Sequence, residues 1–385
     1  MRENETEYPP SISVIVPVKN SAKTIGDLME SLMGLEYAPE KLEIVVVDGD
    51  SSDGTRKIVE EYPVLLVDEE GKGLNAARNT GIKWSTGEIV AYTDGDCIVP
   101  PDWVKSIARN FRSPMVGFVG GNVEGYDKED FLSIYMDETF FNVKPSFKWR
   151  QVATRLNLGK FPAGCNMAFR RDALAKIDYF DERIEYGFDD LIPVEEVGDK
   201  GFRIVLDPEV YVFHQHRTHL GNMLLQHFKY GRGGAKLMRA KRLSKLAQWF
   251  TTYLISSTFS LALISALLVL GLLLKQRVPL EISLGTFTFF YAVLTVLYLE
   301  TAVRTRSLRK MLFYPILDIT RGVVFTLGGL TQLMKEKEES DGRTQREKEY
   351  PLELPQDFYP FINTRRWDDE RFLLSALMLC GRSPR

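Results

Sequence analysis

Glu88-Ile-Val-Ala-Tyr-Thr-Asp-Gly-Asp96 is a short apolar run that ends in two carboxylates. Its β-branched and aromatic residues suit a buried strand. In an extended chain, residues i and i+2 project to the same side. Asp94 and Asp96 are therefore expected to present both carboxylates to one patch of space, with Gly95 leaving the backbone open to a ligand. Two like charges held that close require a proton or a shared cation. Hard oxygen ligands suit Mg²⁺ or Mn²⁺, which keep positions for water and phosphate. The same residues also suit an ordinary polar turn after a strand, so their surroundings decide the reading.

Upstream, apolar strands alternate with helical segments. Ser11 to Val16 is expected as a strand that Pro17 ends, followed by a helix from a Ser21 cap to about Leu35. Leu42 to Val47 leads into Asp48-Gly-Asp-Ser-Ser-Asp53-Gly-Thr, where Ser52 or Asp53 is placed to cap the helix of 54–62. Val64 to Val67 precedes a glycine-bounded helix that opens around Gly71 to Arg78, and Glu88 to Thr93 follows. Strands apolar throughout, separated by helices, predict an α/β fold with a mostly parallel sheet covered on both faces. Ligands bind such sheets beyond the carboxyl ends of the strands. Asp48, Asp50, Asp94 and Asp96 all lie at such ends. Gly117 to Glu124 and Phe202 to Val212, the latter broken at Pro208, are further expected strands, and Phe180 to Asp190 is a polar loop leading into a helix.

The chain has 385 residues, with 49 Lys and Arg against 52 Asp and Glu, a net charge of −3. That balance argues against nucleic acid as a partner. Cys97, Cys165 and Cys380 form neither a disulfide framework nor a zinc spacing. The polar Met1 to Pro10 lacks the apolar core of a signal peptide. The second half differs sharply from the first. Trp249 to Leu274 holds no charged residue over 26 positions, and Ile282 to Leu299 none over 18. Crossing a bilayer takes roughly 20 residues of helix, so these two are expected to form a transmembrane hairpin with Lys275 to Glu281 as its outer turn. Residues 236–248 carry a basic cluster that reads as an amphipathic interface helix on anionic lipid. That cluster and the four cations of Arg304 to Lys310 place both flanks on the cytoplasmic side. Met311 to Met334 is expected to span or to lie in the interface, with Asp318 and Arg321 towards the head groups. The resulting domains are 1–235, the interface helix 236–248, a membrane region 249–334, and a charged linker and tail 335–385, the linker holding 11 charges in 15 residues.

Gly71-x-Gly73-x-x-Ala76 matches a dinucleotide fingerprint. A dehydrogenase reading places that fingerprint in the first βαβ unit, where this chain has Pro17-Val-Lys-Asn-Ser, and it leaves the acidic pairs unexplained. Four other segments act as a set: Ser13-Val-Ile-Val-Pro-Val-Lys-Asn20, Val47-Asp-Gly-Asp-Ser-Ser-Asp-Gly-Thr55, Gly73-Leu-Asn-Ala-Ala-Arg-Asn-Thr-Gly81 and Thr93-Asp-Gly-Asp96. In that order and spacing, residues 11–235 resemble a family 2 glycosyltransferase of the GT-A fold. The resemblance implies a nucleotide-sugar donor, UDP in preference to GDP. Pro17 would begin the nucleotide pocket and Asp48 would bond the base, with Asp50 beside it. Asp94 and Asp96 would be the DxD pair, Asp96 the direct metal ligand. Lys72 and Arg78 would approach the nucleotide, Gly164-Cys-Asn166 would lie near donor and acceptor sugars, and Asp190 or Asp189 would be the general base.

The chemistry is coherent on its own terms. A departing diphosphate needs charge to offset it, and a carboxylate takes the proton from an attacking hydroxyl. The expected protein is a membrane-bound inverting glycosyltransferase on the cytoplasmic face, using Mn²⁺ or Mg²⁺ and acting on a polyprenyl- or dolichol-linked acceptor. The alternatives are a polyprenyl-phosphate monosaccharide synthase and a non-catalytic membrane scaffold. All four histidines lie between His214 and His227, and His214 is a candidate metal ligand. Gln226-His-Phe-Lys-Tyr230 resembles the QxxRW motif of processive synthases, with Lys for Arg and Tyr for Trp.

Overall fold

The computed structural model describes residues 9–139, 146–157, 161–184, 186–216 and 218–340. The chain divides into two units, 1–336 and 337–385. The expected linker and tail, with Cys380 and Trp367, lie outside the described residues from 341 onwards.

Strands β1 (Ile12–Val18), β2 (Leu42–Asp48), β3 (Leu65–Asp68) and β4 (Ile89–Tyr92) form the first half of one sheet. Helices α1 (Ile25–Met33), α2 (Thr55–Val59) and α3 (Leu74–Lys83) connect them. The remaining strands are β5 (Cys97–Ile98), β6 (Val116–Gly125), β7 (Gln151–Ala153), β8 (Met167–Arg170) and β9 (Arg203–His214). Sheet order is β3-β2-β1-β4-β8-β6-β9-β5, with β7 on β9. The first four strands pair in parallel, as the alternation with helices predicts. Beyond β4 the sheet is mixed, because β8 runs antiparallel to both β4 and β6 while β6 and β9 are parallel. Apolar side chains fill both faces. One core joins Val14, Leu28, Trp103 and Val212; the other joins Ile15, Tyr92, Phe118 and Phe169.

Three local expectations change. Pro17 does not end β1, which pairs on through Val18 opposite Asp48. On the other edge β4 pairs only as far as Ile15, so no ladder bond there requires the missing proline N–H. Ser21 starts α1 through its carbonyl, which accepts from Thr24 N and Ile25 N, rather than through its hydroxyl. Asp53 bonds both Thr55 N (3.1 Å) and Ala22 N (3.0 Å), so one carboxylate joins the starts of α1 and α2. The irregularity at Pro208 does occur: register between β6 and β9 slips between Gly121 and Asn122, opposite Asp207 and Tyr211.

After α4 (Trp103–Ala108), α5 (Phe131–Glu138), α6 (Arg171–Ala175) and α7 (Leu191–Asp199), the chain enters α8 (Leu220–Ala240). Residues 236–248, expected as a single basic helix, are divided. They comprise the end of α8, a turn, and the first turn of α9 (Lys245–Leu273), where Ser244 Oγ accepts from Ala247 N. Two cations of that segment are held by ion pairs: partly buried Lys241 pairs with Glu196 (2.6 Å) and exposed Arg239 with Glu336 (3.4 Å). Helices α10 (Arg277–Leu297), α11 (Leu299–Thr305) and α12 (Leu308–Ser340) follow. The loop between α9 and α10 is shorter than expected, because α10 already begins at Arg277. Three helices, α9, α10 and α12, are long and apolar enough to cross a membrane. Phe259, Leu272, Phe289 and Val296 are exposed on the first two.

Asp318 and Arg321 do not face outward as expected. Both are buried, and they join α12 to α5 and α8. Asp318 accepts from Tyr135 (2.6 Å), Thr139 (2.7 Å) and Tyr298. Arg321 donates to His227 Nε2 (2.8 Å) and Tyr135 Oη (2.8 Å). A buried ion pair survives where further hydrogen bonds satisfy both partners, and α5 and α8 supply them.

Candidate active site

The turn after β4 positions the acidic pair. β4 ends at Tyr92, and Cys97 N closes a turn onto Asp94 O (3.0 Å). Asp94 and Asp96 thus lie on a turn beyond β4 rather than within a strand, and they are close enough for the charge of Asp96 to act on Asp94. Thr24 Oγ1 holds Gly95 O at 2.7 Å, and Gln215 N holds Asp96 O at 2.8 Å. Asp96 faces His214 at the end of β9, with Oδ1 3.4 Å from Nε2. Asp96, Cys97 and His214 bring one ligand atom each within 4.8 Å of one another. Burial and Cys165 push the Cys97 thiol well above its ordinary value, so it stays neutral. The oxygen of Asp96 and the nitrogen of His214 are left as the donors suited to a divalent ion.

Asp94 stands towards a second cluster. Burial, and then the charge of Asp96, push its carboxyl up to about 7, with smaller contributions from Asp189 and Asp190. Asp190 precedes α7 and is likewise pushed up to about 7, by burial and then by Asp189. The two neighbouring acids have separate positions. Asp189 is buried and accepts from Arg78 Nη1 at 2.6 Å, an ion pair inside the protein. Asp190 is half-buried, beside Gly164. A side chain at Gly164 would meet Arg78 Nη2 at 2.8 Å and Asp190 Oδ2 at 3.1 Å, so the glycine leaves room for both. Arg78 is fully enclosed, also donating to Asn75 Oδ1 (2.9 Å). Burial works against its charge, but Asp189, Asp190 and Asp94 hold it above its ordinary value.

A cavity of about 460 Å³ opens at the carboxyl end of β1. Pro17 lines it, with Lys19, Glu69, Gly73, Tyr186 and, from α8, Lys229, Arg232 and Lys236. Two buried carboxylate oxygens nearby, Asp48 Oδ1 and Glu69 Oε1, have no hydrogen-bond partner among the described residues. Such orphaned acceptors call for donors from a ligand. The sequence reading missed Glu69 and the α8 cations, although Lys229 sits in the quoted Gln226-to-Tyr230 motif. Asp50 and Lys72 are exposed on the loops that follow β2 and β3. Asn166 does not reach the site. It is fully buried, and its amide bonds Asn122 O (2.8 Å), Val210 O (3.0 Å) and Trp103 Nε1 (2.9 Å), tying strands together.

The model of the family described as glycosyl transferase family 2 matches residues 13–178. Glycosyltransferase AglE of Haloferax volcanii is 30% identical over 243 residues, 61% of this chain and 76% of that protein. Poly-beta-1,6-N-acetyl-D-glucosamine synthase of Staphylococcus aureus is 26% identical over 233 residues, 59% of this chain but 55% of the longer relative. Among solved structures, the mannosyltransferase PcManGT from Pyrobaculum calidifontis, in complex with GDP-Man and Mn²⁺, superposes with a TM-score of 0.52 at 21% identity, covering 86% of this chain and 89% of that one. That likeness extends the GT-A fold over most of the chain. With the AglE match spanning most of both proteins and the family's own segments lying along β1 to β4, the chain belongs to glycosyl transferase family 2.

Proposed function

We propose that this protein is a membrane-bound, metal-dependent, inverting glycosyltransferase that moves a sugar from a nucleotide-sugar, UDP-linked in preference to GDP-linked, to a polyprenyl- or dolichol-linked acceptor on the cytoplasmic face. The observation that carries the reading is the convergence of Asp94, Asp96 and His214 with Asp190 at one end of the sheet, beside a cavity with unsatisfied acceptors. Asp48 and Glu69 would receive the donor groups of base and ribose, and the cations of α8 would face the phosphates. Asp96 and His214 would hold Mn²⁺ or Mg²⁺, which when bound supplies positive charge against the departing diphosphate.

Asp190 takes the proton from the acceptor hydroxyl. Its carboxyl titrates near 7, where a base is both available and strong enough to act. Asp189 cannot serve in the same way, because Arg78 occupies it. A lipid phosphate would need no base, so the placement of Asp190 favours a hydroxyl acceptor over monosaccharide-carrier synthesis. Attack from the face opposite the diphosphate inverts the anomeric centre. Helices α9 and α10 cross the bilayer, while α12, held along α5 and α8 by its buried face, lies at the interface and keeps the cavity near the lipid.

The test is transfer of radiolabelled sugar to a polyprenyl-linked acceptor in detergent with Mn²⁺. Transfer by the wild type and its loss in Asp96→Ala support the proposal. No transfer from any UDP- or GDP-sugar would favour the scaffold.

A further inference from the structure

His214 is held from both sides. It pairs with Cys97 of β5 and Gly125 of β6, and its carbonyl accepts from Tyr126 N at 3.0 Å. Its ring continues into a chain of contacts that leads away from Asp96. Nδ1 lies 3.2 Å from Nδ1 of His216, and Nε2 of His216 lies 2.7 Å from Asp137 Oδ1. The His216 side chain is 2% exposed. Asp137 is fixed in turn by Gly125 N, which donates to its Oδ2 at 3.0 Å, with Lys128 at 3.6 Å. A Cβ on Gly125 would stand 2.3 Å from that oxygen, so the glycine is what admits the carboxylate.

Nδ1 of His214 meets Nδ1 of His216, and Asp137 anchors the far nitrogen of His216, so the His214 ring is held from behind. That hold turns Nε2 of His214 towards Asp96 Oδ1, 3.4 Å away. An imidazole nitrogen and a carboxylate oxygen at that spacing suit a divalent cation between them.

We propose that the pair His216 and Asp137 positions the cation site: it holds the His214 ring at Nδ1 and aims Nε2 towards Asp96. The inference rests on the metal reading above and extends it to residues that touch neither ion nor substrate. Carboxylate and imidazole partners behind a ligating histidine characteristically contribute 10–100-fold in metal affinity.

The experiment titrates Mn²⁺ into the full-length protein in detergent without nucleotide, reading free Mn²⁺ by electron paramagnetic resonance. His216→Phe and Asp137→Asn are expected to bind Mn²⁺ about tenfold or more weakly. In transfer assays their apparent Mn²⁺ constant should rise while kcat at saturating Mn²⁺ stays within about twofold, a split that general loss of structure would not produce. Should His216→Phe fail to fold, Asp137→Asn carries the test, since it keeps the size and the Gly125 contact while losing the acceptor-only group. If both variants match the wild type while His214→Ala and Asp96→Ala bind weakly, the positioning role is wrong and the metal site stands. If Asp96→Ala also binds Mn²⁺ like the wild type, the metal reading itself fails.

Discussion

Asp189 and Asp190 show how adjacent side chains of one type come to differ. Asp189 is paired and buried, whereas Asp190 keeps an open side and a raised pKa. Replacing Asp190 by Asn should lower kcat by about 10²–10⁴; a loss below tenfold in the transfer assay would point to an anionic acceptor. Because only the ionised form accepts a proton, kcat/KM should climb with pH and level off above about 7. A profile already flat at pH 5 would contradict that assignment. Arg78 belongs to the fold as much as to the site. Arg78→Ala leaves Asp189 buried without its partner and should cost about 3–5 kcal/mol in denaturant unfolding. Arg78→Lys should restore little, since a point charge cannot bond Asn75 and Asp189 in the same fork. The sequence left these two carboxylates as alternatives for the proposed base, and the Arg78 contact gives them different surroundings.

Among the helices, α8 joins the sheet domain to the apolar segments, and its glycines explain how. A Cβ at Gly231 would sit 1.9 Å from Phe325 O of α12, and one at Gly328 would sit 2.1 Å from Phe228 O of α8. The two backbones touch where no side chain intervenes. Gly231→Ala should therefore separate the helices and lower stability by about 1–3 kcal/mol. Gly221, on the same helix, meets nothing within 4 Å. Gly221→Ala should instead be neutral or stabilise by up to about 1 kcal/mol. Thermal unfolding of the pair distinguishes the crossing from mere helix propensity: equal effects would mean that the close contact is not what those glycines serve. The basic stretch before Trp249 looked like one amphipathic helix because charge pattern reports sidedness, not continuity. The Ser244 cap and the Lys241–Glu196 pair divide it.

Across the whole molecule, the crowding of acids at the sheet's end links pH, metal and stability. Asp94 and Asp190 rise from an ordinary 3.8 to about 7 on folding. The native state thus holds more protons than the unfolded chain between about 4 and 7, and stability falls as pH rises through that window. The unfolding midpoint should drop from pH 6 to pH 8. Mn²⁺ should recover it more at pH 8, where the acids are ionised, with about 2.7 kcal/mol expected at a hundredfold excess over Kd. A midpoint rising with pH in the absence of metal would reverse the sign and refute the crowding. The linear chain was enough to determine the parallel βαβ half, the acidic strand ends and the two long apolar helices, since periodicity and uninterrupted apolar length are local properties. Tertiary structure alone decided that β8 turns the sheet mixed, that His214 lands beside Asp96, that Asn166 is structural, and that Asp318 and Arg321 face inward. Each of these depends on contacts between residues far apart in sequence, and no local pattern encodes which distant partner will satisfy a buried charge or amide.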